Sequence, residues 1–386
     1  MTFIDLFAGA GGFSLGLHQA GLRGILAVER DPMAFATFKY NLLDNQNAFE
    51  WPEWLPQEPT DIGDLLKQYH DSIMNLRDHV DVVVGGPPCQ GFSIAGRRYE
   101  HDQRNELFKE YVNFVNLVEP EVLLFENVPG FSMPFLSRGT GETSYLSLLS
   151  KKLRRMGYEE PLAKILDFSK YGVPQSRKRL ILYSAREGND TESFFERLNL
   201  RKSNHVVSVK EAISDLERSK GVVACPDSPG FFSGVYGQPR SNFQKLMQHG
   251  FTGGIPDSHR FVRHGSRVVE RFDFILKTST ERNKSVGSGK MVGLGTCKRS
   301  IIPLDGGKPS PTLTSLPDDF IHYDEPRILT AREYARLQGF PDWFEFKGKY
   351  TTGGLLRKQE TPRYSQIANA VPPIFSALLG AALQSI

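Results

Sequence analysis

Cysteine is scarce in this 386-residue chain: Cys89, Cys225 and Cys297 stand far apart, with no pairing or metal-ligand spacing. That argues against a disulfide framework and against a structural metal, and it suits a reducing compartment. No apolar run of bilayer length stands out, and Met1–Phe7 lacks the basic stretch and long apolar core of a secretion signal. The expectation is a cytoplasmic protein without a membrane role. There is no internal repeat or low-complexity tract. The Gly-x-Gly-x-x-Gly fingerprint is missing too, which counts against a nicotinamide dinucleotide enzyme.

Net charge is nearly absent as well, at +3, but its distribution is uneven. Residues 240–300 carry twelve Lys/Arg against four Asp/Glu, so this stretch is +8 and the remainder −5. The same stretch holds Gly253, Gly254, Gly265, Gly287, Gly289, Gly293 and Gly295 with three histidines. Basic, glycine-rich and loop-forming, it reads as a surface that tracks phosphates rather than a merely solvated face.

What is present in the first half is alternation. Phe3–Phe7 reads as a buried strand, a glycine turn follows, and a helix is expected from Phe13 to Ala20. Gly24–Val28 reads as the second strand, and Asp31-Pro32 as a helix start, with a carboxylate cap and proline at the first helical position. Residues 44–60, with three prolines and no period, read as an insertion loop. Asp81–Val84, Val122–Phe125 and Leu180–Tyr183 read as further strands, with helices at Glu106–Val118 and around Thr143–Met156. Such alternation predicts an α/β fold with a doubly wound, mainly parallel sheet. From about residue 189 to 325 the pattern dissolves into glycine, proline and basic residues, so a second, smaller, basic domain is expected. Thr330–Glu333 is a capping box for a helix ending at Gly339, and Ile367–Val371, then an apolar helix after Pro372-Pro373, reads as core material returning to the first domain. The domain boundaries are placed at 1–188, 189–344 and 345–386.

Three stretches carry chemistry. Asp5-Leu6-Phe7-Ala8-Gly9-Ala10-Gly11-Gly12 joins the first strand to the first helix, where glycines let a backbone approach a ligand closely. Glu29 ends the second strand, where a carboxylate can accept from both hydroxyls of a ribose. Gly85-Gly86-Pro87-Pro88-Cys89-Gln90-Gly91-Phe92-Ser93 stops the third strand abruptly and sets a thiol at the rim of the sheet, where ligands collect. A buried structural cysteine remains the alternative for Cys89 on this run alone.

In this order the segments resemble the cytosine-5 DNA methyltransferase family, over residues 3–188 and 327–373. The glycine turn with Phe7, Gly9, Gly11 and Gly12 is similar to its S-adenosylmethionine loop, Glu29 to its ribose-binding acid, and Asp61-Ile62 to its adenine-contacting segment. Gly86–Gln90 is similar to the nucleophile motif, Glu126-Asn127-Val128 to the second catalytic motif, and Gln175–Arg179 to the motif supplying a catalytic arginine. Arg327–Pro341 matches a helix that braces the recognition domain, and Gln366–Pro373 a returning cofactor segment. The resemblance implies Cys89 as nucleophile, Glu126 as the group on ring nitrogen 3 and the exocyclic amine, and Arg179, with Arg177 close by, on the 2-carbonyl oxygen. It adds Pro88, Leu107, Asn369 and Val371 to the cofactor residues.

Chemistry on a base edge requires the base to leave the stack. Phe92–Arg104 reads as a loop that closes over DNA, with Gln90, Ser93, Arg97, Arg98 and Arg104 as contacts. Ala95 stands where some relatives carry a polar gap-filling side chain. The implied activity is methyl transfer to carbon 5 of cytosine in double-stranded DNA, as the modification half of a bacterial restriction–modification system with a cognate restriction endonuclease. An RNA cytosine-5 methyltransferase of the same fold and a non-catalytic DNA-binding protein are the rival readings.

Overall fold

The computed structural model describes residues 1–87, 104–137, 141–186, 191–286, 296, 300–354, 356 and 359–384. The chain divides into two compact units, one made of Met1–Phe168, Lys178–Lys202 and Pro373–Ile386, the other of Ser169–Arg177 and Ser203–Pro372.

The first unit runs β1 (Thr2–Leu6), α1 (Gly12–Gln19), β2 (Arg23–Val28), α2 (Pro32–Phe38), α3 (Ile62–Gln68), α4 (His70–Met74), β3 (Val82–Gly85), α5 (Arg104–Val118) and β4 (Val122–Asn127). A small hairpin, β5 (Phe135–Ser137) and β6 (Gly141–Thr143), precedes α6 (Tyr145–Arg155) and β7 (Leu162–Asp167). After β8 (Gln175–Ser176) of the second unit come β9 (Lys178–Ala185) and α7 (Thr191–Asn199). The sheet order is β2-β1-β3-β4-β9-β7, with β2, β1, β3 and β4 parallel and β9 antiparallel to both neighbours. The doubly wound, mainly parallel sheet expected from the sequence is present.

The strands read as unbroken apolar runs because both faces are covered. Ile4, Leu6, Val83, Leu123, Phe125, Leu180 and Leu182 share one core with residues of α3, α5 and α6. On the other face Asp5 meets Ser14 of α1, and Tyr183 stacks on Phe194 of α7 at 4.3 Å. Asp31 caps α2 as expected, its Oδ1 accepting from Met33 and Ala34 N–H at 2.9 Å. The sheet chain order passes from β2 back across β1 to β3, so the crevice between the ends of β1 and β3 is the switch point.

Two expectations are corrected, and one strand was not anticipated. Residues 44–60 are not simply an insertion loop: Phe49 bridges Gly24 at the sheet edge and packs against Phe3 and Phe38 at 5.3 and 5.2 Å. A Cβ at Gly24 would overlap the Phe49 ring, so that glycine is the seat for it. Strand β7 carried no sequence signal, because as an edge strand it buries none of its side chains fully, and Ile165 is 52% exposed. The stretch Arg363–Leu383 has enough apolar length for a bilayer, at mean hydropathy 1.4. It nevertheless breaks into helices Arg363–Asn369 and Pro373–Leu383 around Pro372, and most residues of its most apolar 18-residue window are buried.

The second unit has little sheet: β10 (Val222–Ala224) and β11 (Phe232–Gly234) form a hairpin, and β8 pairs with Ser310–Pro311. The basic interval is less loop-like than its composition suggests. It contains helices Asn242–Gln248, with a Ser241–Gln244 capping box, and Ser266–Thr278. The second helix seats Phe272 and Ile275 on Ile301, Ile321 and Ile328. Its core also holds ionic groups. Arg336 is fully buried between Asp215 and Asp342, and Arg327 grips fully buried Glu333 with two 2.7 Å hydrogen bonds. Both arginines flank or belong to the helix Ala331–Leu337, which opens with the expected Thr330–Glu333 capping box.

Candidate active site

The turn after β1 is built from left-handed backbone, with φ of 63° at Phe7, 57° at Gly9 and 89° at Gly11. Ala8 N–H donates to the Val28 carbonyl at 2.9 Å, which draws the turn over the end of β2. There Glu29 accepts from Gly9 N–H at 2.9 Å and from Asp31 N–H at 2.7 Å. Each of its oxygens is thus fixed by one backbone donor and keeps acceptor capacity for another. Burial raises the Glu29 pKa, and the hydrogen bonds from Asp31 and Gly9 pull it back. Among the described residues a Cβ at Gly9 would meet no atom within 4 Å, whereas one at Gly11 would meet Leu42 and Phe38 side chains. The turn is open on its Gly9 side and packed on its Gly11 side, and buried Gly12 begins α1.

Asp61 caps α3 through a 2.9 Å bond from Gly63 N–H, one residue after Thr60 N–H has bonded the Glu29 carbonyl at 2.8 Å. Phe7 and Leu107 are half-buried against the same apolar cluster. Glycine turn, Glu29, Asp61, Phe7 and Leu107 therefore all belong to the first unit. Asn369 and Val371 belong to the second, with Asn369 exposed at the end of its helix. Sequence reasoning gave Asp5 no role. It is buried, accepts from Ser14 Oγ at 2.5 Å, and burial pushes its pKa up to about 7, with the Ser14 bonds pulling the other way.

At the end of β3 the two glycines have separate duties. A Cβ at Gly85, where φ is 134°, would overlap the Leu6 carbonyl, and one at Gly86 would overlap the Glu126 carbonyl. The chain can leave the sheet between β1 and β4 only with both positions bare. Asn127 then fixes the exit, its Nδ2 donating to the Pro87 carbonyl at 3.1 Å. That role for Asn127 was not visible in sequence. Pro88, Cys89, Gln90, Ser93, Ala95, Arg97 and Arg98 lie outside the described residues, and of Arg104 only its place as first residue of α5 is described.

Glu126 stands opposite Ile181 in the β4–β9 register, so Arg179, two residues from Ile181, shares its face of the sheet. Arg179 Nε lies 3.2 Å from Glu126 Oε1, and both side chains are largely buried. That oxygen has this ionic contact but no hydrogen bond among the described residues. Arg177 is buried and belongs to the second unit, whereas Glu126 and Arg179 belong to the first.

Among solved structures the fold is that of the methyltransferases. A chain described as a DNA modification methyltransferase encoded within an E. coli prophage superposes with a TM-score of 0.69 at 25% identity, covering 100% of this chain and 99% of that one. The S. pombe Dnmt2 methyltransferase shares the fold, with a TM-score of 0.57 at 16% identity. The model of the C-5 cytosine-specific DNA methylases matches residues 1–384, and the chain belongs to that family. It is 34% identical to the type II methyltransferase M.DdeI of Desulfomicrobium norvegicum, over 98% of this chain and 87% of that one. It is 30% identical to M1.HphI of Haemophilus parahaemolyticus, over 99% and 86%. The protein is a DNA cytosine-5 methyltransferase.

Proposed function

We propose that this protein methylates carbon 5 of a flipped-out cytosine in a specific duplex DNA sequence, through a covalent Cys89 adduct, as the modification member of a type II restriction–modification system. The observation that carries the proposal is the Glu126–Arg179 pair: a buried acid with an open acceptor beside a cation, where the strand exit toward Cys89 is pinned. Residues 1–188 are read as the catalytic part, 189–344 as target recognition and 345–386 as the return segment. A restriction endonuclease of the same site specificity is the expected partner, and the cytoplasm the expected compartment.

The residues present fit S-adenosylmethionine: the open face of Gly9 is a cradle, and Glu29 keeps acceptor capacity at the end of β2. Phe7, Gly9, Gly11, Gly12, Glu29, Asp61 and Leu107, with Pro88, Asn369 and Val371, would hold it. When bound it supplies an electrophilic methyl group on sulfur. The chain's own residues do the rest. The Cys89 thiolate forms a bond to carbon 6 and the ring's π electrons shift, making carbon 5 nucleophilic. Glu126 contacts ring nitrogen 3 and the exocyclic amine, with a proton shared between carboxyl and base as sulfur adds, and Arg179 holds the 2-carbonyl oxygen. After carbon 5 has been methylated, a base removes its proton, and that electron pair expels sulfur and restores the ring.

Fluorine in place of that hydrogen cannot leave as a cation, so elimination stalls. With 5-fluorocytosine in its target site and S-adenosylmethionine present, the wild-type protein should form a denaturation-resistant adduct with DNA, and Cys89→Ser should form none. An adduct with serine at 89, or one mapping to Cys225 or Cys297, would refute the mechanism.

A further inference from the structure

The second unit holds a run of stacked arginines and aromatic rings that the chemistry above does not use. Arg363 lies over the Tyr350 ring at 4.2 Å, Arg260 over the same ring at 3.7 Å and over Phe231 at 4.4 Å, and Arg263 over Phe231 at 4.7 Å. The inner end is anchored. Arg363 Nη1 donates to Asp227 Oδ2 at 2.6 Å and to Ser258 Oγ at 3.0 Å, and Arg363 Nε donates to the Gly348 carbonyl at 3.0 Å. In the middle, Arg260 Nη1 donates to Ser228 Oγ at 3.0 Å. The outer end is not anchored. Arg263 is exposed and makes no ion pair or hydrogen bond among the described residues.

The turn of the β10–β11 hairpin is shaped to receive that last guanidinium. Gly230 has φ of 79°, and a Cβ there would press on Arg263 Nη2 at 3.1 Å. Phe231 N–H closes the turn onto the Ser228 carbonyl at 3.0 Å, and Cys225 N–H closes it onto the Phe231 carbonyl at 2.9 Å. A guanidinium lying on a ring loses torsional freedom while keeping its N–H edge available, so little entropy remains to be lost when that edge meets a ligand. Arg260, Lys349 and Arg363 outnumber Asp227 in the lining of a neighbouring cavity of about 400 Å³, which leaves a positive surplus beside Phe231 that suits an anionic partner.

We propose that Arg263 is a DNA-contacting residue of this enzyme, its stacked fork taking a pair of acceptor atoms on the bound duplex. Both sources of that chemistry belong to one molecule: O6 and N7 of a guanine in the major groove, or two oxygens of a backbone phosphate. The inference rests on the DNA-methylating function proposed above.

Arg263→Ala and Arg263→Lys separate the sources. Methylation of a randomised duplex pool is read by bisulfite sequencing, binding by anisotropy at several salt concentrations, and folding by the thermal midpoint. If a guanine edge is the ligand, both variants lose discrimination at one G·C pair by roughly 5- to 150-fold. Replacing that guanine with 7-deazaguanine should then weaken the wild type and leave Arg263→Ala unaffected. If a phosphate is the ligand, Arg263→Ala weakens all sequences evenly and flattens the slope of log affinity against log salt by about 0.9, and Arg263→Lys restores that slope. Unchanged discrimination and unchanged slope in both variants would overturn the inference, as would a lowered midpoint with DNA binding intact. A wild-type protein that binds duplex but transfers no methyl group would instead count against the proposed function, while the binding titrations would still report on Arg263.

Discussion

Both carboxylate oxygens of Glu29 are engaged before any ligand arrives, one by Gly9 N–H and the other by Asp31 N–H. This side chain therefore shapes the turn as well as offering acceptors, and its removal has two effects on one measurement. Glu29→Ala should weaken S-adenosylmethionine binding by roughly 1.5–3 kcal/mol through lost charge-assisted hydrogen bonds. Calorimetric titration checks it, and an unchanged dissociation constant would remove Glu29 from the site. The paired glycines show the same economy of atoms. Gly85 is bare because of the Leu6 carbonyl and Gly86 because of the Glu126 carbonyl, so neither can be exchanged for the other's reason. Sequence marks both as turn residues, but the carbonyls they avoid lie on strands remote in the chain.

At the scale of elements, α1 and the helix Pro373–Leu383 cross closely through two glycines. A Cβ at Gly16 would overlap Ser376 and the Pro373 carbonyl, and one at Gly380 would press on Ala20 Cβ at 2.7 Å. Alanine in place of glycine normally strengthens a helix by about 1 kcal/mol. Here Gly16→Ala should instead destabilise by roughly 1–3 kcal/mol, because the packed interface must part. A urea midpoint equal to or above wild type would show that the two helices have room to spare. Elements whose signals are local were legible in sequence: the Asp31-Pro32 cap, the Thr330–Glu333 box and the apolar runs of β1, β3 and β4. The helix Ser266–Thr278 lacks a local start signal because Gly265 offers no side-chain cap, although Val268, Phe272, Ile275 and Leu276 recur at helical spacing and share one buried face. In the site, Glu126 and Arg179 were singled out separately. Their ion pair depends on the β4–β9 register, which no local pattern encodes.

At the scale of the whole molecule, the second unit buries histidines as well as ion pairs, and that makes it acid-sensitive. His259 is held neutral between Thr330 Oγ1 and the Leu216 carbonyl, each at 2.8 Å, and burial lowers its pKa to about 4. The unfolded chain takes up a proton near pH 6.5 that the folded chain refuses until about pH 4, so stability falls as pH drops through that interval. Glu333 acts in the same direction at lower pH. Burial raises its pKa, but pairing with Arg327 outweighs this and holds it at about 2, so its contribution is lost as pH falls from about 4.5. Between pH 7 and pH 5, His259→Gln should lose about 2 kcal/mol less than wild type in urea denaturation. Equal losses would mean that His259 titrates normally. The helix Pro373–Leu383 has a consequence of another kind, in time rather than energy. It packs on α1 in the first unit, yet in sequence it follows all of residues 203–372. On a ribosome adding about 5–20 residues per second, α1 waits roughly 9–37 s for its partner after α7 has emerged. Through that interval the face of the sheet beneath α1 stays unfinished, so a nascent chain can complete its first unit only after the second has been translated.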